Sequence, residues 1–257
     1  QKRKYSLVLH QVDFDEDEVD VALELIKEKR LKGIIFLGGD FRHLENKIQK
    51  LTVPYILSTV GCEPMRINEK GYSSISVDDE LEMMRAVEYL IQNGHRKIAF
   101  ISAGEDNGSS GHYRLEGYRK ALEKHDIPYD EELIFPMKKE IESYSMENGY
   151  AIAEDMLKCE KEFTAICAIS DTLAIGAMRA LYDAGKRVPE DYSVIGFDGI
   201  ELGKYMIPSL STIQQPIYEI ATETTKLLFD IISGKKEHEH KVLAGDLIIR
   251  ESTKEIK

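Results

Sequence analysis

The stretch TAICAISDTLAIGAMRALYDAGKRVPEDYSVIGFDG, residues 164–199, predicts a strand, a helix and a second strand. The apolar runs at 164–170 and 192–197 are short, whereas 171–184 is longer and amphipathic. When a helix joins two strands of one sheet, the strands run parallel. The stretch therefore indicates a βαβ unit in a mainly parallel sheet.

The same alternation of short apolar runs and longer amphipathic stretches extends over the whole chain, with one irregular segment at 61–74. This alternation is typical of α/β folds with parallel sheets. The predicted strands are YSLVLH at 5–10, 33–39, 54–60, 74–77, 97–102, LIFP at 133–136, 164–170 and 192–197. The predicted helices lie at 17–30, 41–51, 80–93, 146–158 and 171–184, and one more ends at His125.

Length and composition limit the class of protein. With 257 residues the chain is longer than a usual single domain, so we expect two lobes or one large α/β unit. Apolar residues make up 42% and charged residues 31%, as in soluble globular proteins. No apolar run approaches the roughly 18 to 20 residues that span a bilayer, and the start does not resemble a signal peptide. We therefore expect a cytoplasmic protein without membrane contact.

The charge and the reactive residues argue against several functions. A net charge of −12 and short basic clusters argue against nucleic acid contacting this surface directly. The three cysteines are widely spaced, and His238 and His240 fall in a polar segment that we interpret as a solvated loop, so we expect no metal and no cofactor. No GxSxG, P-loop or GxGxxG motif occurs, and we predict that the protein is not an enzyme.

Candidate ligand contacts follow the predicted strands, because ligands of open parallel sheets bind at the carboxyl ends of the strands. Ser, Asp and Gly residues at these places also cap helices and form turns, so either role is open for any single position. The candidates are Gly38 to Asp40, Ser58 and Thr59, Asp78 and Asp79, Gly104 to Ser110, Ser170 and Asp171, and Asp198 and Gly199.

Four stretches together resemble the LacI/GalR family of transcription regulators in their order and spacing. They are NGHRKIAFISAG (93–104), RLEGYRKAL (114–122), SDTLAIGAMRALYDAGKRVPEDYSVIGFDG (170–199) and PSLSTIQQP (208–216). The resemblance implies an α/β fold of the type I periplasmic-binding-protein kind, with two Rossmann-like lobes of parallel sheets joined by three crossing segments. It implies an N-terminal lobe of 1–102 plus 217–236 and a C-terminal lobe of 103–216 plus 237–257.

The resemblance also implies residues of an effector site in the cleft between the lobes. Arg114 matches an effector-contacting arginine, whose forked donors suit hydroxyls, carboxylates or phosphate. Asp198 matches an acidic ligand contact. Ser170 stands where the family has an asparagine, which shortens the side chain, and Asp171 after it is expected to cap the next helix.

Three further positions are implied, each with a structural alternative. Tyr144 falls where relatives carry an aromatic that stacks on the effector, or it packs internally. Gln215 matches a glutamine of the last crossing segment, as a ligand contact or as a purely structural link between the lobes. Asp78 is a pocket residue or a helix cap. Glu82 departs from the family, which usually has a glycine there, and suggests a helix that starts without a close backbone approach.

The function implied is the effector-binding and dimerisation core of a LacI/GalR-type regulator. A small molecule, a sugar or sugar phosphate, would bind in the cleft of a homodimer and control operator DNA binding through a helix-turn-helix headpiece absent from this chain. A solute-binding protein of a sugar transporter or receptor is the alternative. The family's first strand is also unmatched, so we expect a gap in the first sheet with unpaired backbone groups.

Overall fold

The computed structural model describes residues 5–12, 16–39, 45–60, 72–104 and 109–256, which form two sheets covered by helices. The first sheet has four parallel strands in the order β1 (Ile34–Leu37), β2 (Tyr55–Ser58), β3 (Ser73–Val77) and β9 (His240–Leu243). The second has six in the order β10 (Asp246–Ile248), β8 (Ser211–Gln214), β7 (Ser193–Asp198), β6 (Ala165–Ala168), β4 (Ile98–Ser102) and β5 (Ile134–Pro136). Its strands are parallel except for β10, which runs antiparallel to β8.

The described residues form seven α-helices, and most begin at a side-chain cap. Asp78, Ser109, Ser145 and Ser170 each accept a backbone N–H from the first turn of the helix that follows. None of these helices combines the length and the apolarity that crossing a bilayer requires. The helices are α1 (Glu18–Lys29), α2 (Glu45–Ile48), α3 (Asp79–Gln92), α4 (Ser110–Lys124), α5 (Met146–Met156), α6 (Asp171–Asp183) and α7 (Ile217–Ile232).

Helices α5 and α6 approach each other closely because glycines face the neighbouring backbone. A Cβ added at Gly149 would lie 2.2 Å from the carbonyl oxygen of Leu173, and one at Gly176 would lie 2.0 Å from that of Met146. Real Cβ atoms do not approach a carbonyl oxygen so closely. The pair of glycines therefore sets the distance between the two helices that cover this part of the second sheet.

The chain passes between the two sheets three times, as the resemblance implies. The first passage is at Asp78, because β3 belongs to the first sheet and α3 packs against α4 and the second sheet. The second is at 215–216, between β8 and α7, which packs on the first sheet. The third is at 244–245, between β9 and β10.

Strand register brings the three crossing segments side by side. At the end of the first sheet Val77 pairs with Leu243, so the first and third segments leave the sheet together. Where the second sheet begins again, Asp246 pairs with Gln214, so the third segment also adjoins the second. Any rotation of one lobe against the other must therefore bend three neighbouring segments at once.

The implied lobe boundaries differ from the sheet membership at two strands. Strand β4, at the end of the implied range 1–102, lies inside the second sheet between β5 and β6. Strand β9 lies in the first sheet, although 237–257 was assigned to the C-terminal lobe. The reason is that the first passage comes before α3 and the third comes after β9. Gln215 accordingly lies in the second crossing segment and not in the last one.

The predicted strand at 5–10 is wrong. Residues 5–12 form no strand, and Leu7 and Leu9 are 90% and 84% exposed. A strand needs hydrogen bonds to a neighbour, and β1 pairs with β2 on one side and with no described strand on the other. Tyr5 instead contacts the ring of Phe229 on α7, with centroids 5.0 Å apart. The irregular segment predicted at 61–74 lies outside the described residues up to residue 71.

The segment read as a solvated loop around His238 and His240 is also partly wrong. His240 begins β9, where its ring lies 4.6 Å from that of Tyr72 and its Nδ1 is 2.8 Å from Oγ of Ser74. Strands β8, β9 and β10 were not predicted, because their short polar sequences give little periodicity. Their positions come from pairing with strands far away in the chain.

A buried histidine ties the end of the chain to the second sheet. Nδ1 of His95 lies 2.8 Å from Oγ1 of Thr164, and Nε2 lies 3.0 Å from Oγ of Ser193 and 3.2 Å from the carbonyl oxygen of Lys254. The side chain has no exposed surface, and burial lowers the pKa of His95. The ring is therefore neutral near pH 7 and serves as a structural link.

Candidate functional site

Arg114 is the centre of the candidate site. It projects from the first turns of α4, its side chain is only 8% exposed, and its guanidinium carbon lies 3.7 Å above the ring of Phe197. Nε donates to Oδ1 of Asp79 at 2.8 Å, and Nη1 donates to the carbonyl oxygen of Ile169 at the end of β6. Among the described residues no acceptor lies within hydrogen-bonding distance of the two N–H groups of Nη2.

Asp79 is the buried partner of Arg114. It is the first residue of α3, so the ion pair connects the first crossing segment to α4. Burial raises the pKa of the Asp79 carboxyl, and the neighbouring Arg114 opposes this shift. For Arg114 itself, burial acts against the charge, but Asp79 and Asp198 hold its pKa above the usual value.

Asp198 and Gln215 form the second half of the site. Oδ1 of Asp198 lies 3.5 Å from Nη1 of Arg114 and accepts a hydrogen bond of 2.8 Å from Nε2 of Gln215. The carboxylate is 26% exposed, and burial of the remainder raises its pKa. Its φ of 115° falls in a backbone region that residues with a side chain seldom adopt, and such strain is concentrated at functional sites.

Asp171 holds the loop that follows Asp198. Its Oδ2 accepts the backbone N–H groups of Gly199 and Ile200 at 2.9 and 2.8 Å, and its Oδ1 accepts the hydroxyl of Thr212 at 2.6 Å. Burial raises the pKa of Asp171 to about 7, although these three donors act in the opposite direction. Asp171 therefore fixes the position of Asp198 by holding the backbone of the two residues that follow it.

The helix cap expected at Asp171 is formed by Ser170. Asp171 was expected to cap α6, but the cap is Ser170, whose Oγ accepts the N–H of Leu173 at 3.3 Å. Ser170 is buried and also lies 2.9 Å from Oγ1 of Thr172. Thr172 in turn donates to the carbonyl oxygen of Tyr144 at 2.6 Å. Ser170 thus supports the backbone at Tyr144 from the edge of the site.

Tyr144 and Asp78 lie at the borders of the site. Tyr144 has a φ of 55° and a half-exposed side chain, and its hydroxyl reaches the start of α4, 3.0 Å from where a Cβ of Gly111 would stand. It is close enough to Arg114 to act on the pKa of the guanidinium. Asp78 uses its Oδ1 to cap α3, accepting the N–H of Leu81 at 2.9 Å.

One described hydrogen bond joins helix α4, which packs on the second sheet, to the segment after β2 of the first sheet. Oγ of Ser110, the first residue of α4, donates to the carbonyl oxygen of Thr59 at 3.2 Å. Thr59 follows β2 of the first sheet and has a φ of 57°. Of the strand-end candidates, residues 40 and 105–108 lie outside the described residues.

The sequence prediction missed the role of Asp79. It named both aspartates after β3 but carried Asp78 forward as the site residue. The available signal was the arginine itself: a cation in a buried site requires a carboxylate partner, and Asp79 is one residue further into the helix than the cap. Phe197, on which the guanidinium stacks, was likewise visible as the last apolar residue before Asp198.

The fold and the site together define a two-lobed core of the periplasmic-binding-protein type with a polar site at the crossing segments. Residues 87–253 match the family model described as "Periplasmic binding protein-like domain". The regulator MalR of Clostridium butyricum is 36% identical over 253 residues, which are 96% of this chain and 72% of the relative. The chain belongs to the LacI/GalR family of transcription regulators.

Two solved structures of regulators have the same fold. A LacI family transcriptional regulator from Enterococcus faecium with bound ribose superposes with a TM-score of 0.75 at 31% identity, covering 91% of this chain and 84% of the other. The complex of the transcriptional regulator CelR with cellobiose gives a TM-score of 0.78 at 29% identity, covering 91% and 70%. These relatives favour the predicted regulator over a solute-binding protein of a transporter.

Proposed function

We propose that this chain binds an uncharged sugar at Arg114, Asp198 and Gln215, as the effector core of a transcription regulator. The observation that carries the proposal is the position of Arg114 between two carboxylates, with donors left on Nη2. The ribose and cellobiose complexes of the two similar regulators support a sugar as the class of ligand.

The hydrogen-bonding groups suit hydroxyls. A sugar hydroxyl both donates and accepts, so it is best matched where a donor stands beside an acceptor. Nη2 of Arg114 offers donors, and the partly exposed carboxylate of Asp198 has acceptor capacity beyond its contact with Gln215. Two neighbouring hydroxyls of one ring fit this arrangement, and Tyr144 is placed at the border where an aromatic could cover the ring.

The charge balance disfavours phosphate. Arg114 contributes one positive charge, while Asp79 and Asp198 contribute up to two negative charges within 3.5 Å of it. At an effective dielectric constant of about 20, two like charges about 4 Å apart repel by roughly 4 kcal/mol. The two carboxylates therefore offset much of the attraction of Arg114 for an anion, and we expect the uncharged sugar to bind more tightly than its phosphate.

The regulatory part of the proposal concerns assembly. We propose that the chain acts as a homodimer whose lobe arrangement controls DNA binding by a helix-turn-helix headpiece, and that it has no catalytic activity. Leu202, Tyr205 and Ile207 form an exposed apolar segment next to the second sheet, with Ile207 almost fully exposed, and such surfaces mark interfaces between proteins. The similar protein MalR carries the name of a helix-turn-helix regulator.

Thermal unfolding with candidate effectors tests the ligand. We expect one of ribose, maltose or cellobiose to stabilise the protein by about 2.7 kcal/mol at a hundredfold excess over its Kd. Ribose 5-phosphate, glucose 6-phosphate and adenine are expected to cause no shift. Stabilisation by a sugar phosphate but not by its parent sugar would overturn the charge argument.

A further inference from the structure

Glu82 is a buried acidic residue that the site does not use directly. It lies in the first turn of α3 with 2% of its side chain exposed. Oε1 accepts the backbone N–H of Gly245 at 2.8 Å, and Oε2 forms an ion pair with Nη1 of Arg85. The same Nη1 donates to the carbonyl oxygen of Gly245 at 3.0 Å. The backbone of Gly245 is therefore held through both its N–H and its C=O group.

Gly245 is a residue of the third crossing segment, where the chain leaves β9 and enters β10. A Cβ at this position would stand 3.0 Å from Cγ2 of Ile213 and 3.2 Å from Cδ of Glu82. Both distances are tighter than ordinary van der Waals contact. The segment thus packs directly on Glu82 and on β8, and an added Cβ would require its neighbours to shift by a few tenths of an ångström.

The same helical turn also reaches the candidate sugar site. Asp79 and Glu82 are three residues apart, a spacing at which helix side chains are neighbours. Asp79 holds Arg114, and Glu82 holds Gly245. If a ligand at Arg114 shifts the first turn of α3, the third crossing segment must therefore either move with that turn or resist the shift.

Burying the Glu82 carboxylate costs desolvation energy, which the Gly245 N–H and the partly exposed guanidinium of Arg85 offset. The contact does specify a geometry, because a carboxylate accepts the N–H of Gly245 at one defined distance and angle. The contact therefore ties the first turn of α3 to the third crossing segment.

We propose that Glu82, with Arg85, is a positioning residue that fixes the third crossing segment and couples the sugar site to the angle between the lobes. The part concerning coupling rests on the proposed function, whereas the part concerning lobe angle does not.

Distance distributions between spin labels test the proposal. Labels on Lys27→Cys of α1 and Glu123→Cys of α4, both exposed, would report the separation of the lobes in a chain otherwise free of cysteine. Without ligand, we expect Glu82→Ala to broaden the distribution about twofold. Glu82→Gln keeps the acceptor for Gly245 but loses the ion pair, and should broaden it less. The matched control is Glu80→Gln, in the same turn, which loses the surface ion pair to Lys120.

The second measurement adds the sugar that stabilises the wild-type protein most. We expect Glu82→Ala to bind it within about threefold of the wild-type Kd, since Arg114, Asp198 and Gln215 are unchanged, but to lose at least half of the sugar-induced shift in distance. A distribution in Glu82→Ala as narrow as in Glu80→Gln would overturn the proposal even if Kd were altered. If no sugar binds the wild type, the proposed function fails, while the width without ligand still decides the role of Glu82.

Discussion

Asp79 and Arg114 are 35 residues apart in the chain, yet Oδ1 of the first lies 2.8 Å from Nε of the second, and both side chains are buried. The bond joins the helix that begins just after the first crossing segment to the helix that carries the candidate ligand contact. The ion pair is therefore part of the site and part of the fold.

Replacing Arg114 is expected to affect both binding and stability. Arg114→Ala should abolish the thermal shift with sugar, because it removes the donors of Nη2. It should also lower the free energy of unfolding by about 3–5 kcal/mol, because Asp79 is left buried without its partner. Urea unfolding with and without sugar measures both effects. The double variant Arg114→Met with Asp79→Leu should regain part of the stability but no binding; full stability in the single variant would contradict the pairing.

Replacing Asp198 should affect binding more than folding. Asp198→Asn keeps a side chain that tolerates positive φ but loses the charged acceptor. Since hydrogen bonds to charged groups contribute about 1.5–3 kcal/mol, affinity for the sugar should fall roughly 10- to 150-fold. Titration calorimetry gives the value. Asp191→Asn, at an exposed surface ion pair with Arg187, is the control and should bind like the wild type; equal affinities of the two variants would remove Asp198 from the site.

Adding one methyl group between α5 and α6 should destabilise the protein. Gly149→Ala would place a Cβ 2.2 Å from the carbonyl oxygen of Leu173, so one helix must move. Overpacking of this kind costs about 1–3 kcal/mol or more, which thermal unfolding would register as a lower Tm. Glu147→Ala, on the exposed side of the same helix, should leave Tm nearly unchanged. A Tm for Gly149→Ala as high as the control would show that the helices are not in close contact.

The stability of the protein should fall in mild acid because of His95. Burial lowers the pKa of His95 in the folded state, so below pH 6.5 the unfolded chain takes up a proton that the folded chain does not. Stability is therefore lost as pH falls below 6.5, by at most about 1.4 kcal/mol per pH unit, until the folded pKa is reached. Comparing urea midpoints of wild type and His95→Gln from pH 5 to pH 8 checks this. The difference between them should shrink as pH falls.

Asp171 should have the opposite effect to His95 and lower the stability of the protein as pH rises. Burial raises its pKa to about 7, so between about pH 4 and pH 7 the folded state holds a proton that the unfolded state releases. The contribution of Asp171 to the free energy of unfolding therefore declines as pH rises through this window and is constant above it. In Asp171→Asn the urea midpoint should be lower at every pH, since three hydrogen bonds are disturbed, and the decline should be absent. If the decline in stability between pH 4 and pH 7 persists in Asp171→Asn, another titratable group causes it.

The strand and helix order was predictable where apolar runs have a clear period. Strands β4, β6 and β7 and the helices between them appear within a few residues of their predicted positions, since their strands are buried on both faces and read as continuous apolar runs. The strand predicted at 5–10 was wrong because alternation shows which face of a strand is apolar, but it does not show that a neighbouring strand is available for hydrogen bonding. Periodicity also failed at β9, whose exposed and half-buried residues look like a loop until β3 is placed beside them.

The candidate site was predictable to the extent that it lies at strand ends. Arg114 and Asp198 were identified through the family pattern, and the structure brings them within 3.5 Å of each other. The sequence could not predict that Ser170 caps α6 while Asp171 holds a distant loop, since both residue types cap helices. The role of Asp171 depends on Thr212 and the loop at 199–200, which only folding brings to Asp171.

The number of crossing segments has a topological consequence. Three is odd, so the described residues before the first crossing segment and those after the third lie on different lobes. Tyr5 contacts α7 over the first sheet, and near the other end Ile256 donates its N–H to Asn93 at the end of α3. Probes attached near Tyr5 and near Ile256 would move with different lobes, so the distance between them would report lobe rotation directly. With an even number of crossings, both probes would move with the same lobe, and the distance between them would not change when the lobes rotate.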